Sequence, residues 1–242
     1  MRTIGLIGGM SWESTRLYYD AINVGVRERL GGLHSARCLL YSVDFAPIAA
    51  MQAEGRWGEA GEALAEAARA LERAGADCIA LATNTMHKVA DAVTQAVALP
   101  FIHIAAPTAR ALAEAGRRTP LLLATAFTME QDFYKGLLAG RGFDVLVPDA
   151  ESRADIHRII YEELCRGIVD ERSRRRYEEI TYQGRSRGAD SVILGCTEIT
   201  MLLGNANSAL PTFDTTALHA RALVDFALDA APAAPGVSGT RA

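Results

Sequence analysis

The chain has 242 residues, half of them apolar and 22% charged, enough to bury a sizeable core as one large α/β unit or two small ones. A formal net charge of −4 and a pI near 5.8 argue against nucleic acid or an anionic membrane surface as partner. No apolar stretch approaches the roughly 20 residues of a membrane-spanning helix, and the first residues do not read as a signal peptide, so the expected location is cytoplasmic.

Taken in chain order, short aliphatic runs predict strands near 3–7, 37–43, 77–82, 100–104, 120–124, 143–147 and 191–194. The Ala-, Glu- and Arg-rich stretches between them read as helices, clearest at 57–74, 129–139, 152–165 and 171–187, with another at 214–230. Such regular alternation predicts parallel sheets joined by right-handed crossovers. The basic run from Arg172 to Arg176 is interleaved with Glu171, Glu178 and Glu179, the pattern of a solvated helix face. The Pro-, Gly- and Ala-rich tail at 231–242 reads as disordered.

An internal repeat organises the chain. RAGADCIALATNT at 73–85 matches SRGADSVILGCTE at 186–198, so Thr83 corresponds to Cys196, Asn84 to Thr197 and Thr85 to Glu198. A weaker match joins RTIGLIGGMSWES at 2–14 to RTPLLLATAFTME at 118–130. A helix-closing glycine before an apolar strand is common in α/β proteins and accounts for Gly-Ala-Asp by itself. It does not account for polar tips at matching offsets, which point to a duplicated half. The expected division puts 1–107 with 211–230 in the first half and 108–210 in the second.

Ligands of open parallel sheets bind beyond the carboxyl ends of the strands. Those ends carry Gly8-Gly9-Met10-Ser11, Asp44-Phe45, Thr83-Asn84-Thr85, Thr125-Ala126-Phe127-Thr128 and Gly195-Cys196-Thr197-Glu198. Small hydroxyl and amide groups suit a carboxylate ligand; the same residues also serve as helix N-caps, and both readings stand. Gly8-Gly9 lacks the spacing of a dinucleotide or nucleoside-triphosphate loop, and no His or Cys cluster suggests a metal. The sequence therefore predicts no cofactor. Cys38 and Cys78 fall inside strands and Cys165 inside a helix, as small buried hydrophobes do. Cys196 is at a strand tip: either a buried strand-end residue or, if a helix starts there, a thiol whose pKa of about 8.5 is lowered toward neutrality. His87 reads as a packed or solvent-facing helix residue.

At IGLIGGMSWEST (4–15), SVDF (42–45), TNTMH (83–87) and GCTEI (195–199) the chain resembles the aspartate/glutamate racemases, which use no pyridoxal phosphate. The resemblance implies two Rossmann-like parallel-sheet halves related by a pseudo-twofold axis, with the active site in the cleft between them. It also implies a small amino-acid substrate, acidic or polar, a homodimer, and one catalytic thiol from each half. Cys196 matches the second thiol, but the first is replaced by Thr83, as in a subgroup nearer the broad-specificity amino-acid racemases. The binding shell implied is Met10, Gln52, Asn84, Thr85, Thr125 and Thr197. Arg166 stands where acidic-substrate members often have lysine: either a partner for a distal carboxylate or an exposed helix-end residue. Glu198 either orients Cys196 or biases the first helical turn through its dipole. Because an alcohol is far less acidic than a thiol, the Thr83/Cys196 pair predicts strong bias toward one enantiomer. A single-cysteine decarboxylase and a non-catalytic amino-acid binder are the two other readings.

Overall fold

Residues 1–229 are described in a computed structural model; the tail expected to be disordered lies outside them. The first half runs β1 (Ile4–Gly8), α1 (Trp12–Leu30), β2 (Cys38–Ser42), α2 (Phe45–Ala53), α3 (Trp57–Arg73), β3 (Cys78–Leu81), a 3-10 turn at Thr85–Val89 and α4 (Ala90–Ala96). The second runs α5 (Ala105–Glu114), β4 (Pro120–Leu123), α6 (Ala126–Glu130), α7 (Asp132–Ala139), α8 (Ala150–Glu162), a 3-10 turn at Leu164–Arg166 and α9 (Glu171–Ser186). It continues through β5 (Ser191–Leu194), a 3-10 turn at Thr197–Met201, β6 (Thr212–Asp214) and α10 (Thr215–Leu228).

Two parallel three-stranded sheets result, ordered β2-β1-β3 and β4-β5-β6. Each is extended by a single parallel bridge, Ile79 to Phe101 in the first and Leu121 to Leu146 in the second. The two orders then correspond strand for strand, with β3 and β5 at the offset of the sequence repeat. The strands expected at 100–104 and 143–147 thus shrink to bridging residues. Pro100 offers no N–H to a ladder and α5 begins at Ala105, while Pro148 ends the second segment soon after Leu146.

The central strands read correctly because both faces are covered. In β1, Ile4 and Leu6 pack into one core and Ile7 into another; in β3, Cys78 and Ala80 oppose Ile79 and Leu81 in the same way. Alternate residues point to opposite faces, so an unbroken apolar run fills two layers. Helix α3 covers one face with Ala60, Leu64, Ala67, Ala68 and Leu71, a helical spacing along one stripe. The arginine run behaves as a helix face: Arg174 and Arg175 pair with Glu171, and Arg176 with Asp155 and Glu179.

Helix α10 crosses back to the first half. Ile104, Ala105, Ala109 and Leu112 at α5 lie in the second core, whereas Ala220, Leu223, Val224 and Ala227 of α10 lie in the first. The expected division likewise puts most of α5 with the second half and α10 with the first, and differs at one seam. Residues 212–214, assigned with the first half, form β6 on the edge of the second sheet, because Val192 N–H donates to the Pro211 carbonyl and the ladder follows. The helix expected at 129–139 breaks at Gln131, whose extended backbone separates α6 from α7.

One turn sets the mouth of the first half. Gly9 has φ +92° and its N–H donates to Thr15 Oγ1 at 2.8 Å; a Cβ there would overlap the Val43 backbone carbonyl. Backbone cannot swing aside as a side-chain tip can, and positive φ strains any L-residue. Gly9→Ala is therefore expected to lower stability by about 1–3 kcal/mol, read from the chemical denaturation midpoint.

Candidate active site

The carboxyl ends of β3 and β5 open onto one pocket between the halves. Thr83, Asn84 and Thr85 line it from the first sheet and Cys196, Thr197 and Glu198 from the second. Met10, Gln52 and Thr125 also line it, so eight of the nine expected site residues come together. The pocket is nearly closed, a cavity of about 20 Å3. Arg166 is the exception: it is exposed at the end of the 3-10 turn after α8 and does not line the pocket, because that tight turn points its neighbour Cys165 inward instead.

Several side chains have structural and lining duties at once. Ser11 caps α1 by accepting from Ser14 N–H at 3.2 Å, and Thr125 caps α6 by accepting from Thr128 N–H at 3.4 Å. Thr85 and Thr125 share a 2.9 Å hydroxyl contact across the cleft, and Thr197 pairs with Thr216 at 2.9 Å. The Thr215 hydroxyl donates to the Leu194 carbonyl and therefore accepts from Asn84 Nδ2 at 3.0 Å, which orients the amide. Asn84 Oδ1 is then left buried without a partner. A group of this kind costs stability until a donor arrives.

Gln52 and Tyr161 close one side. The Tyr161 hydroxyl donates to Gln52 Oε1 at 2.9 Å, Gln52 Nε2 contacts Met86 Sδ at 2.9 Å, and the Phe45 and Tyr161 rings stack 6.3 Å apart. These contacts tie α2 to α8.

The centre of the second half is a buried carboxylate. Glu198 is 4% exposed; Oε2 accepts from the Cys196 thiol at 2.9 Å, and Oε1 accepts from Ser11 and Ser14 hydroxyls at 2.7 and 2.5 Å. Cys165 Sγ lies 3.8 Å from Oε1. Burial, then the Glu198 carboxylate, hold the Cys196 thiol well above its ordinary pKa. The expected lowering by a helix N-terminus does not occur: only a five-residue 3-10 turn follows, and its second residue brings a negative charge to the sulfur. The resting group is a thiol, hydrogen-bonded to the acceptor that can take its proton. Cys165, read from sequence as a buried hydrophobe, is instead a second thiol at this carboxylate. Ser14 was visible in the sequence only as an i+3 neighbour of Ser11 on one helical face.

His87 is a packing residue. Its Nδ1–H donates to the Thr83 carbonyl at 2.8 Å and its Nε2 accepts from Ile104 N–H at 3.2 Å, so neither nitrogen is available to substrate. It belongs to an imidazole cluster behind β3, its ring 4.4 Å from His103 and 6.2 Å from His219. Burial lowers His219 to about 4. Between pH 6.5 and 4 the unfolded chain binds a proton that folded His219 refuses, so stability falls as pH drops through this window. At pH 5 the loss from His219 alone is about 2 kcal/mol, measurable as a lower urea midpoint than at pH 7.

Among the described residues no group of three or more His, Cys, Asp or Glu is arranged to hold a metal, and no helix is long and apolar enough to cross a membrane.

Two matching sheets presenting a hydroxyl and a carboxylate-linked thiol to one shared pocket fit an amino-acid racemase, an isomerase. The chain belongs to the Asp/Glu/Hydantoin racemase family, whose model matches residues 7–223. It is 25% identical over 228 residues to the broad-specificity amino-acid racemase RacX of Bacillus subtilis (strain 168), covering 91% of this chain and 96% of that protein. Among solved structures it is similar to a Yersinia pestis protein grouped with the Asp/Glu racemases, at 49% identity and TM-score 0.88, covering 94% of this chain and all of the other. An aspartate racemase homologue from Pyrococcus horikoshii OT3 follows at 35% identity and TM-score 0.79, covering 94% and 99%.

Proposed function

We propose that this protein racemises a small amino acid at Cα without a cofactor, using Cys196 and Thr83 on opposite faces, with strong bias toward one enantiomer. The observation that carries the reading is the placement of the Cys196 thiol against Glu198 in a pocket whose other wall holds Thr83. Glu198 Oε2 takes the thiol proton, and the resulting thiolate removes the α-proton on its side. The Thr83 hydroxyl returns a proton to the opposite face and is itself reprotonated from solvent. Charge building on the substrate carboxylate as the enolate forms is met by the hydroxyls of Thr85, Thr125 and Thr197, held in advance by their mutual bonds. The α-ammonium group satisfies Asn84 Oδ1.

The substrate side chain sits near Met10, Gln52 and Tyr161. Glu198 is the one charged side chain among the lining residues, so a small polar amino acid adds only its α-carboxylate, whereas an acidic one would bury a third negative charge. An acidic one would draw on Arg166 from outside. The resemblance to RacX, by its name a broad-specificity amino-acid racemase, supports an amino-acid substrate without narrowing its side chain. We further propose a homodimer in the cytoplasm, on the family resemblance; sedimentation equilibrium at twice the 26.0 kDa chain mass tests the dimer.

The deciding experiment incubates the protein in D2O with a panel of L- and D-amino acids and follows α-proton loss by NMR, with and without EDTA and hydroxylamine. Exchange on at least one amino acid, unaffected by either reagent, is expected. Binding without exchange would leave a non-catalytic binder, and CO2 release from an α-disubstituted malonate would leave the one-thiol decarboxylase.

A further inference from the structure

A second cavity, of about 400 Å3, lies at the other end of the second sheet. It runs along one face of α5, from Ala106 to Ala113, and is closed by the loop leading into β4 and the loop after α7. Four arginines line it: Arg110, Arg117, Arg118 and Arg141. Phe143 and Ala109 contribute an apolar wall, and no acidic side chain is among the lining residues. Arg117 and Arg118 precede β4 at its amino end, whereas Thr125 follows it at the racemase pocket. The two sites are thus separated by the length of a four-residue strand, about 13 Å.

The arginines are poorly neutralised in a chain whose net charge is negative. Among the described residues no carboxylate pairs within the 4.0 Å limit with Arg117, Arg118 or Arg141, and Arg110 reaches Glu114 and Asp225 only at 4.0 and 3.8 Å. Asp225 is already held by Arg29. Asp190, beside Arg117, is occupied in accepting from the backbone N–H groups of Arg118 and Thr119 and from the Ser191 hydroxyl. Arg117 gives one nitrogen to the Asp190 carbonyl at 3.3 Å, but its Nε is buried with no partner. The uncompensated charge is felt nearby: after burial, Arg141 is the second cause holding His103 at about 4.

Like charges converge on one space at a cost unless an anion joins them, and guanidinium forks match phosphoryl oxygens in pairs. The volume exceeds that of a simple ion and falls in the range of organic ligands. We propose that this cavity binds an organic phosphate of nucleotide size, its phosphoryl groups on Arg117, Arg118 and Arg141 and its ring against Phe143 and Ala109. This is a site independent of the racemase pocket and of the chemistry assigned to it.

Isothermal titration of the full chain with ATP, pyrophosphate and adenosine at low salt tests it. ATP is expected to bind saturably, pyrophosphate more weakly and adenosine not at all, with the ATP affinity falling as salt rises. The double variant Arg118→Ala/Arg141→Ala changes two exposed side chains and is expected to weaken ATP at least tenfold, about 1.4 kcal/mol, with an unchanged circular dichroism spectrum. Cys196→Ala should bind ATP like the parent. No saturable binding, or ATP affinity unaltered in the arginine variant, would overturn the proposal. So would loss of ATP binding in Cys196→Ala, which would put the ligand in the racemase pocket. Pyrophosphate binding as tightly as ATP would remove the ring from the assignment and overturn an organic ligand.

Discussion

Cys196→Ala is expected to reduce α-proton exchange by about 10³-fold or more, since a positioned acid–base group contributes roughly 10²–10⁴ and no other thiol sits at a strand tip. Cys165→Ala is the matched control: it removes the other thiol at Glu198 but leaves the Cys196–Glu198 hydrogen bond, so exchange should persist. Cys38 and Cys78, pushed up by burial to about 11 and 12, are inert to this chemistry, and their replacement should register in stability alone. Glu198→Gln preserves volume and the Ser11 and Ser14 contacts but removes the proton acceptor. Exchange should fall by roughly 10²-fold. The pH profile separates this role from a packing role. In the parent the proton passes within the Cys196–Glu198 pair, whose total proton count does not change, so exchange should stay level across neutral pH. In the glutamine variant the thiol must lose its proton to solvent, so the residual activity should climb with pH. An active Cys196→Ala protein would end the thiol mechanism.

Thr83 is expected to make the wild-type enzyme lopsided. Cys196 has a carboxylate at 2.9 Å, whereas His87 bonds the Thr83 backbone carbonyl and, among the described residues, no side chain hydrogen-bonds the Thr83 hydroxyl. The enantiomer whose α-proton faces Cys196 should take up deuterium quickly. The other, whose proton faces Thr83, should exchange slowly, and net inversion should lag behind wash-in on the fast side. Thr83→Cys places a thiol on the second wall and should raise turnover of the poorer enantiomer by tenfold or more, about 1.4 kcal/mol of barrier. Thr83→Ala should leave wash-in on the fast enantiomer near the parent rate while suppressing inversion. Equal rates for both enantiomers in the parent, unchanged by Thr83→Cys, would remove Thr83 from the second face. His87 could not then take its place, since both its nitrogens are bonded within the fold.

Much of this architecture is legible in local pattern. The runs that became β1, β3, β4 and β5 are apolar throughout because each strand is covered on both faces, a property written in consecutive residues. The matching copies at 73–85 and 186–198 put Thr83 and Cys196 on equivalent tips, and the two parallel sheets bring those tips to one pocket. Other features depend on how distant segments dock. Ser11 reaches Glu198 across 187 positions of chain, so the shared carboxylate, and with it the protonated state of Cys196, exists only once the halves meet. β6 is three residues long and half-buried, too short and too mixed to show a strand pattern, and only pairing with β5 makes it one. That α5 covers the second core and α10 the first follows from which sheet each helix can cover, and helical periodicity is silent on that choice. Cys165 and Arg166 are adjacent in sequence, yet one turn of backbone sends the first into the pocket and the second into solvent.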